Sequence, residues 1–178
     1  MKKNFKLLFE PLDDGDIKFY LPDARLILYD DLKPEKISSL SDELLWNDKS
    51  YFFLLYPVDS KYSGHWVVLT RFNDTIEYFC SYGYKPDYPL KWSKQKQKGY
   101  LLPLLEKDKL NVEYNNIEFQ NKKIKNMSTC GCYAVFRVLT MLELGCDLKH
   151  NNILIQQLKK DNPTMTYDDI IVQWINKR

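Results

Sequence analysis

Two dense apolar blocks, Tyr51 to Tyr56 and Trp66 to Phe72, dominate the first half of the chain, with Pro57 and Gly64 punctuating the interval between them. Blocks this short with so few polar positions belong to strands covered on both faces, so they predict two neighbouring buried strands. Asn73-Asp74-Thr75 makes a turn, and Ile76 to Tyr82 predicts a third strand that stops at Gly83. Val112, Tyr114, Ile117 and Phe119 predict a further strand, with one slip in its alternation, ending at Gln120.

The period then changes. From Cys130 the run Cys-Gly-Cys-Tyr-Ala-Val-Phe-Arg-Val-Leu-Thr-Met-Leu-Glu-Leu-Gly places Val135, Val138, Leu139 and Leu142 at helical spacing and ends on Gly145, a good helix stop. Almost every turn is apolar, which predicts a central helix. Pro34, Ile37, Leu40, Leu44 and Leu45 predict a helix over 35–46. The Pro- and Lys-rich stretch from Tyr84 to Gly99 predicts a loop entering a helix that continues to Lys107. Two more helices follow, one over 150–160 and one opened by Thr166 and Asp169 as a Ser/Thr-x-x-acid cap, with Ile170, Ile171, Trp174 and Ile175 as its packing face. The first 34 residues carry the apolar runs Phe5 to Phe9 and Ala24 to Tyr29 around Asp13-Asp14-Gly15-Asp16. They predict an arm of strand or extended structure, with the acidic stretch as a solvated turn, since it lacks the ligand spacing of a calcium loop.

Composition narrows the class without choosing a function. With 178 residues the chain fits one domain, and 44% hydrophobic with 28% charged residues is ordinary for a soluble protein. A net charge of +2, with lysines spread along the chain, argues little for nucleic acid. The N-terminus lacks a signal-peptide pattern, and no apolar run approaches the roughly 18 residues that would span a membrane. The expectation is a soluble intracellular protein whose four cysteines, Cys80, Cys130, Cys132 and Cys146, are reduced thiols.

A cysteine at a helix N-terminus is favoured as a thiolate, because unpaired amides and the helix dipole stabilise the sulfur anion. Cys130 has that place. Ser128-Thr129 before it are good caps, Gly131 leaves room for a substrate backbone, and the Cys130 amide can donate to an oxyanion. The competing assignment for any cysteine on an apolar helix is a buried structural thiol, and Cys132 and Cys146 are given that assignment. Of the two histidines, His65 opens the strongest strand, whereas His150 sits in a polar helix start and suits the surface. Gly-His-Trp at a strand start and Cys-Gly at a helix start together predict a thiol nucleophile with an imidazole base.

Gly64-His65-Trp66, Tyr78-Phe79-Cys80-Ser81-Tyr82-Gly83, Gln120 and Thr129-Cys130-Gly131-Cys132 follow the His, acid, Gln, Cys order of the adenovirus maturation protease and of the proteases specific for ubiquitin-like proteins. The set most resembles the capsid-maturation proteases of virophages, Polinton-type elements and large DNA viruses, where Gly-His-Trp is followed by Phe-Asp-Ser-Tyr-Gly. The resemblance covers residues 29–144. It implies an α+β, papain-like fold with a nucleophile-bearing central helix packed on a mixed sheet, and a single protease domain made of an arm (1–34), a catalytic core (35–144) and C-terminal helices (145–178). It also implies His65 as general base, Cys130 as nucleophile, Gln120 as oxyanion-hole donor, and Trp66, Gly64 and Gly131 beside the substrate, although Trp66 fits a plain core aromatic equally well. Gln120 lies further ahead of Cys130 than is usual in the family, so Asn121 to Asn126 must loop out, and Asn126 competes for the donor role.

By the same resemblance the enzyme would use no cofactor or metal and act as a monomer on a protein substrate, a capsid or other structural precursor, with a Gly-rich cleavage motif. It leaves room for a weak DNA or peptide activator and involves no membrane. The protein would work in the host cytoplasm or virus factory, or packaged in the virion. One position departs from the pattern, because Cys80 stands where the family's carboxylate orients the imidazole. Strand alternation puts Glu77 on the wrong face to replace it, and Asp74 and Asp87 lie in adjoining loops. A Cys-His dyad with Cys80 or Ser81 as a weak orienter, a carboxylate recruited from elsewhere, and an inactive descendant are the three readings, of which the dyad is favoured. Outside peptide maturation stand an isopeptidase acting on ubiquitin-like tails, a non-catalytic binding module, and a zinc module built from Cys130, Cys132, Cys146 and His150.

Overall fold

A computed structural model describes residues 8, 10–60, 62–94, 98–124 and 127–178. The apolar run Phe5 to Phe9, apart from Leu8, and Asn126 lie outside the described residues. The two dense blocks form β2 (Tyr51–Ser60) and β3 (Ser63–Phe72), an antiparallel pair in which Phe53 faces Val68 and Tyr56 faces His65. Antiparallel to β3 runs β4 (Thr75–Phe79). Two short strands complete the five-stranded sheet in the order β1-β2-β3-β4-β5: β1 (Leu26–Leu28) and β5 (Asn111–Tyr114), each parallel to its neighbour. The sheet is therefore mixed, and the α+β expectation holds.

Both faces of β2 and β3 are covered, which is why their sequences run apolar without alternating. One face carries Phe53, Leu55, Trp66, Val68 and Phe79 against α1 (Asp14–Tyr20), α4 (Cys130–Leu144), α5 (Leu148–Asp161) and α6 (Tyr167–Ile175). The other carries Phe52, Leu54, Tyr56, Val67 and Leu69 against α2 (Leu40–Glu43), α3 (Leu101–Lys107) and a 3-10 turn at Tyr29–Leu32. Along α4 every residue from Cys130 to Met141 is buried. Gly145 closes it in the left-handed conformation (φ 65°), as the sequence predicts. Among the described residues no helix is long and apolar enough to cross a membrane.

Three expected elements differ. The acidic stretch at 13–16 is a helix start rather than a solvated turn: Asp13 and Asp16 form a reciprocal capping box that opens α1. The helix expected over 35–46 shrinks to α2, because Glu43 folds back onto the amides of Ser38 and Ser39 and the Ser39 hydroxyl takes the Asp42 amide. The strand expected through Phe119 stops at Tyr114, because the buried Asn115 side chain donates to the carbonyls of Cys80 and Ile117 and accepts the Ile117 amide, diverting the chain. Ser128-Thr129 also fails as a side-chain cap for α4, since the Thr129 hydroxyl donates to the buried Asp168 of α6.

One charged pair ties α4 to the sheet. Arg137, fully buried in the middle of α4, reaches Glu77 of β4, whose carboxylate also takes the Thr70 hydroxyl (3.1 Å) and the Leu148 amide (2.7 Å). Burial alone pushes the Glu77 carboxyl up and the Arg137 guanidinium down, and their mutual attraction opposes both shifts. Removing one partner strands the other charge. Glu77→Ala is expected to destabilise the fold by about 3–5 kcal/mol in denaturant unfolding, whereas Glu77→Leu with Arg137→Met recovers part of that loss.

Candidate active site

The N-terminus of α4 meets the start of β3. Cys130 is 6% exposed, and its sulfur faces the amides of Trp66, Gly131 and Cys130 itself. Burial pushes the thiol above its usual range, and those three N–H groups pull it back. His65, the residue before Trp66, is 5% exposed. Cys130, His65, Trp66, Gln120, Tyr82 and Trp92 line one cavity of about 590 Å³. Among the described residues no hydrogen bond joins Cys130 to His65.

The group facing the second imidazole nitrogen is Cys80, whose Sγ lies 3.2 Å from His65 Nε2. Among the described residues no carboxylate takes its place. Glu77 turns to Arg137 on the opposite face, as the strand period requires. Asp87 accepts from the Tyr29 hydroxyl and the Leu102 amide, and Asp74 lies in the turn at the far end of β4. The imidazole ring stacks on Tyr82 (4.9 Å between centroids, 25° between planes) and meets the edge of Trp92 (6.4 Å, 84°). With no anion beside it, burial lowers the His65 pKa to about 3. Burial likewise pushes the Cys80 thiol up to about 11. Both partners of that contact are neutral at physiological pH.

The Gln120 side chain lies at the cavity wall, buried with its amide oxygen 2.7 Å from the Ser81 hydroxyl and its nitrogen 3.3 Å from the Met127 carbonyl. Ser81 therefore serves Gln120 and not His65, which corrects its expected part as an imidazole orienter. Trp66 lines the cavity, packs edge-on against Phe53 and donates its indole N–H to the Leu12 carbonyl at 3.0 Å. Gly64 also lines the cavity, but its lack of a side chain is needed on the sheet side, where a Cβ would stand 1.7 Å from the Tyr56 carbonyl oxygen. Gly131 is corrected as well. It is buried, and a Cβ there would meet Leu12 at 2.9 Å, so its room is taken by the N-terminal segment and not by substrate.

The zinc grouping is not assembled. Cys130 and Cys132 open α4 while Cys146 and His150 lie beyond its other end, about 20 Å away at helical rise. Among the described residues no group of three or more His, Cys, Asp or Glu side chains converges to hold a metal. Cys132 is a core thiol pushed up to about 12 by burial, and His150 is an exposed partner of Asp147. All four cysteines are unpaired.

No protein-family model matches the chain. Over 124 residues, 65% of this chain and 67% of the relative, it is 33% identical to the uncharacterized protein V9 of Sputnik virophage. The chain belongs to the V9 family. Among solved structures, this V9 relative is similar to the C-terminal Ulp1 protease domain in complex with Smt3, the yeast orthologue of SUMO, at TM-score 0.44 and 14% identity over 96% of this chain and 76% of that one.

The electrostatics of His65 are testable without a substrate. The unfolded chain takes up a proton on this histidine near pH 6.5, whereas the folded chain does so near 3. Its neutral burial therefore supports the fold above 6.5 and loses that support as pH falls through the window. Cys80→Asp puts an anion at Nε2 and is expected to raise the imidazole pKa toward or above 6.5 in an NMR titration, with an unchanged pKa as the contrary result.

Proposed function

We propose that this chain is a cysteine endopeptidase that matures a virophage-type particle by cleaving capsid precursor proteins after a Gly-rich segment. One observation carries the reading: a cysteine at the start of a buried helix, a histidine and a glutamine amide line the same cavity. Cys130 Sγ attacks the scissile carbonyl and gives its proton to His65 Nδ1, the ring nitrogen that Cys80 leaves free. The developing oxyanion takes the Gln120 amide nitrogen and the Cys130 N–H. His65 then protonates the leaving amine, and water drawn against the same imidazole hydrolyses the thioester.

For Nδ1 to accept a proton, the resting proton must sit on Nε2 and point at Cys80. A neutral thiol is a weak acceptor, so Cys80 fixes the tautomer without stabilising the imidazolium that forms. Stacking on Tyr82 supplies the rest of the orientation. Attack therefore starts from a neutral thiol and a neutral imidazole, which predicts a slow enzyme relative to one with a carboxylate at this position. The aromatic wall of Trp66, Tyr82 and Trp92 around the cavity supports selection of slim residues next to the scissile bond, and membership of a virophage protein family supports a capsid precursor as substrate.

The test is cleavage of a co-expressed virophage-type capsid precursor, with quenched fluorescent peptides taken from any processed site. Cys130→Ala and His65→Ala are expected to abolish processing while the chain stays folded by circular dichroism, and Cys80→Asp to raise kcat. Full processing by either single variant would end the proposal.

A further inference from the structure

We infer that Ser81 is the positioning residue that turns the Gln120 amide so that its nitrogen, and not its oxygen, faces the carbonyl attacked by Cys130. The inference rests on the peptidase reading and deepens it.

A glutamine amide is useful to an oxyanion only at its nitrogen end, and the two ends are nearly the same shape. Something must choose between them. At Gln120 two groups hold the amide: a carbonyl that can only accept, which excludes the oxygen end, and a buried hydroxyl that completes the bonding of that oxygen. The Ser81 hydroxyl donates to Oε1 at 2.7 Å, and the Met127 carbonyl, which can only accept, takes Nε2 at 3.3 Å. The flipped amide would set two carbonyl oxygens against each other. With one N–H on Met127, the second hydrogen of Nε2 is left for the cavity that Gln120 lines. Both Ser81 and Gln120 are 1% exposed, so water cannot replace the serine at that oxygen.

The grip is more than one bond. The Ser81 carbonyl accepts the amides of Phe119 (2.9 Å) and Gln120 (3.0 Å), so backbone and side chain of the donor hang on the same residue. Cys80 and Ser81 follow directly on the end of β4, and their side chains take different partners. Cys80 touches His65 Nε2 while Ser81 touches Gln120, so two adjacent residues set the base and the oxyanion donor against a common frame. Gly83, at φ 68°, then turns the chain with its amide on the Cys80 carbonyl (2.8 Å), and a Cβ there would strike Ile117.

A peptidyl glycinal aldehyde, which forms a tetrahedral hemithioacetal on a cysteine, and iodoacetamide, which alkylates sulfur without an oxyanion, separate this role from a structural one. Ser81→Ala is expected to weaken aldehyde inhibition about ten-fold or more while Cys130 alkylation keeps its wild-type rate, and Ser81→Thr, which keeps the hydroxyl, is expected to restore the affinity. Equal aldehyde affinity in wild type and Ser81→Ala overturns the inference. So does a parallel fall of both rates in Ser81→Ala, which marks a purely structural residue. Wild-type protein that is alkylated at Cys130 but takes no aldehyde overturns the peptidase reading, and the inference with it.

Discussion

Packing of α4 against β3 is the contact on which the rest of the molecule depends. The helix is buried from Cys130 to Met141, so it can exist only where the sheet and three other helices surround it, and the Arg137–Glu77 pair fixes its height over the strands. That height puts the Cys130 sulfur beside the Trp66 amide, and therefore one residue from His65. The N-terminal segment completes the arrangement from the other side, with Leu12 filling the space over Gly131 and taking the Trp66 indole N–H on its carbonyl. The site is thus a by-product of core packing at one end of a helix, held by elements from both ends of the chain.

The same burial works against the chemistry. Removing water disfavours charge on the buried groups of the site, which lowers the imidazole of His65 and raises the thiols of Cys130 and Cys80. A carboxylate beside Nε2 would reverse this for the imidazole, and here a thiol occupies its place at 3.2 Å. The imidazole is held in place by a neighbour at Nε2 that carries no negative charge. In the proposed reaction, backbone amides at the helix start and the Gln120 nitrogen would carry the electrostatic load instead, acting on charge that appears only during the reaction.

Much of this frame was legible in the sequence, for identifiable reasons. β2, β3 and α4 announce themselves because doubly buried strands and a surrounded helix leave no polar interruption. Strand parity correctly set Glu77 apart from Cys80. What escaped were interactions whose partners lie far along the chain. Ser128-Thr129 has the composition of a helix cap, but Asp168 competes for the threonine hydroxyl, and Ser81 finds Gln120 only because the chain returns past β4 after Asn115. The acidic stretch at Asp13 misled because Gly15 suggests a turn where a capping box operates. One signal was available: Arg137 is the only charged residue between Cys130 and Leu142, and Glu77 is the only one between Ile76 and Tyr82, so two isolated charges in apolar elements should pair.

Under the proposed function Cys130 reacts with His65 as its base although it is nearly buried, while Cys146 is the more exposed thiol. Limited alkylation with iodoacetamide at neutral pH, mapped by mass spectrometry over the four cysteines, tests this directly. Cys130 is expected to be modified first, and His65→Ala to remove its priority. Modification of Cys146 ahead of an inert Cys130 in the folded protein would contradict it.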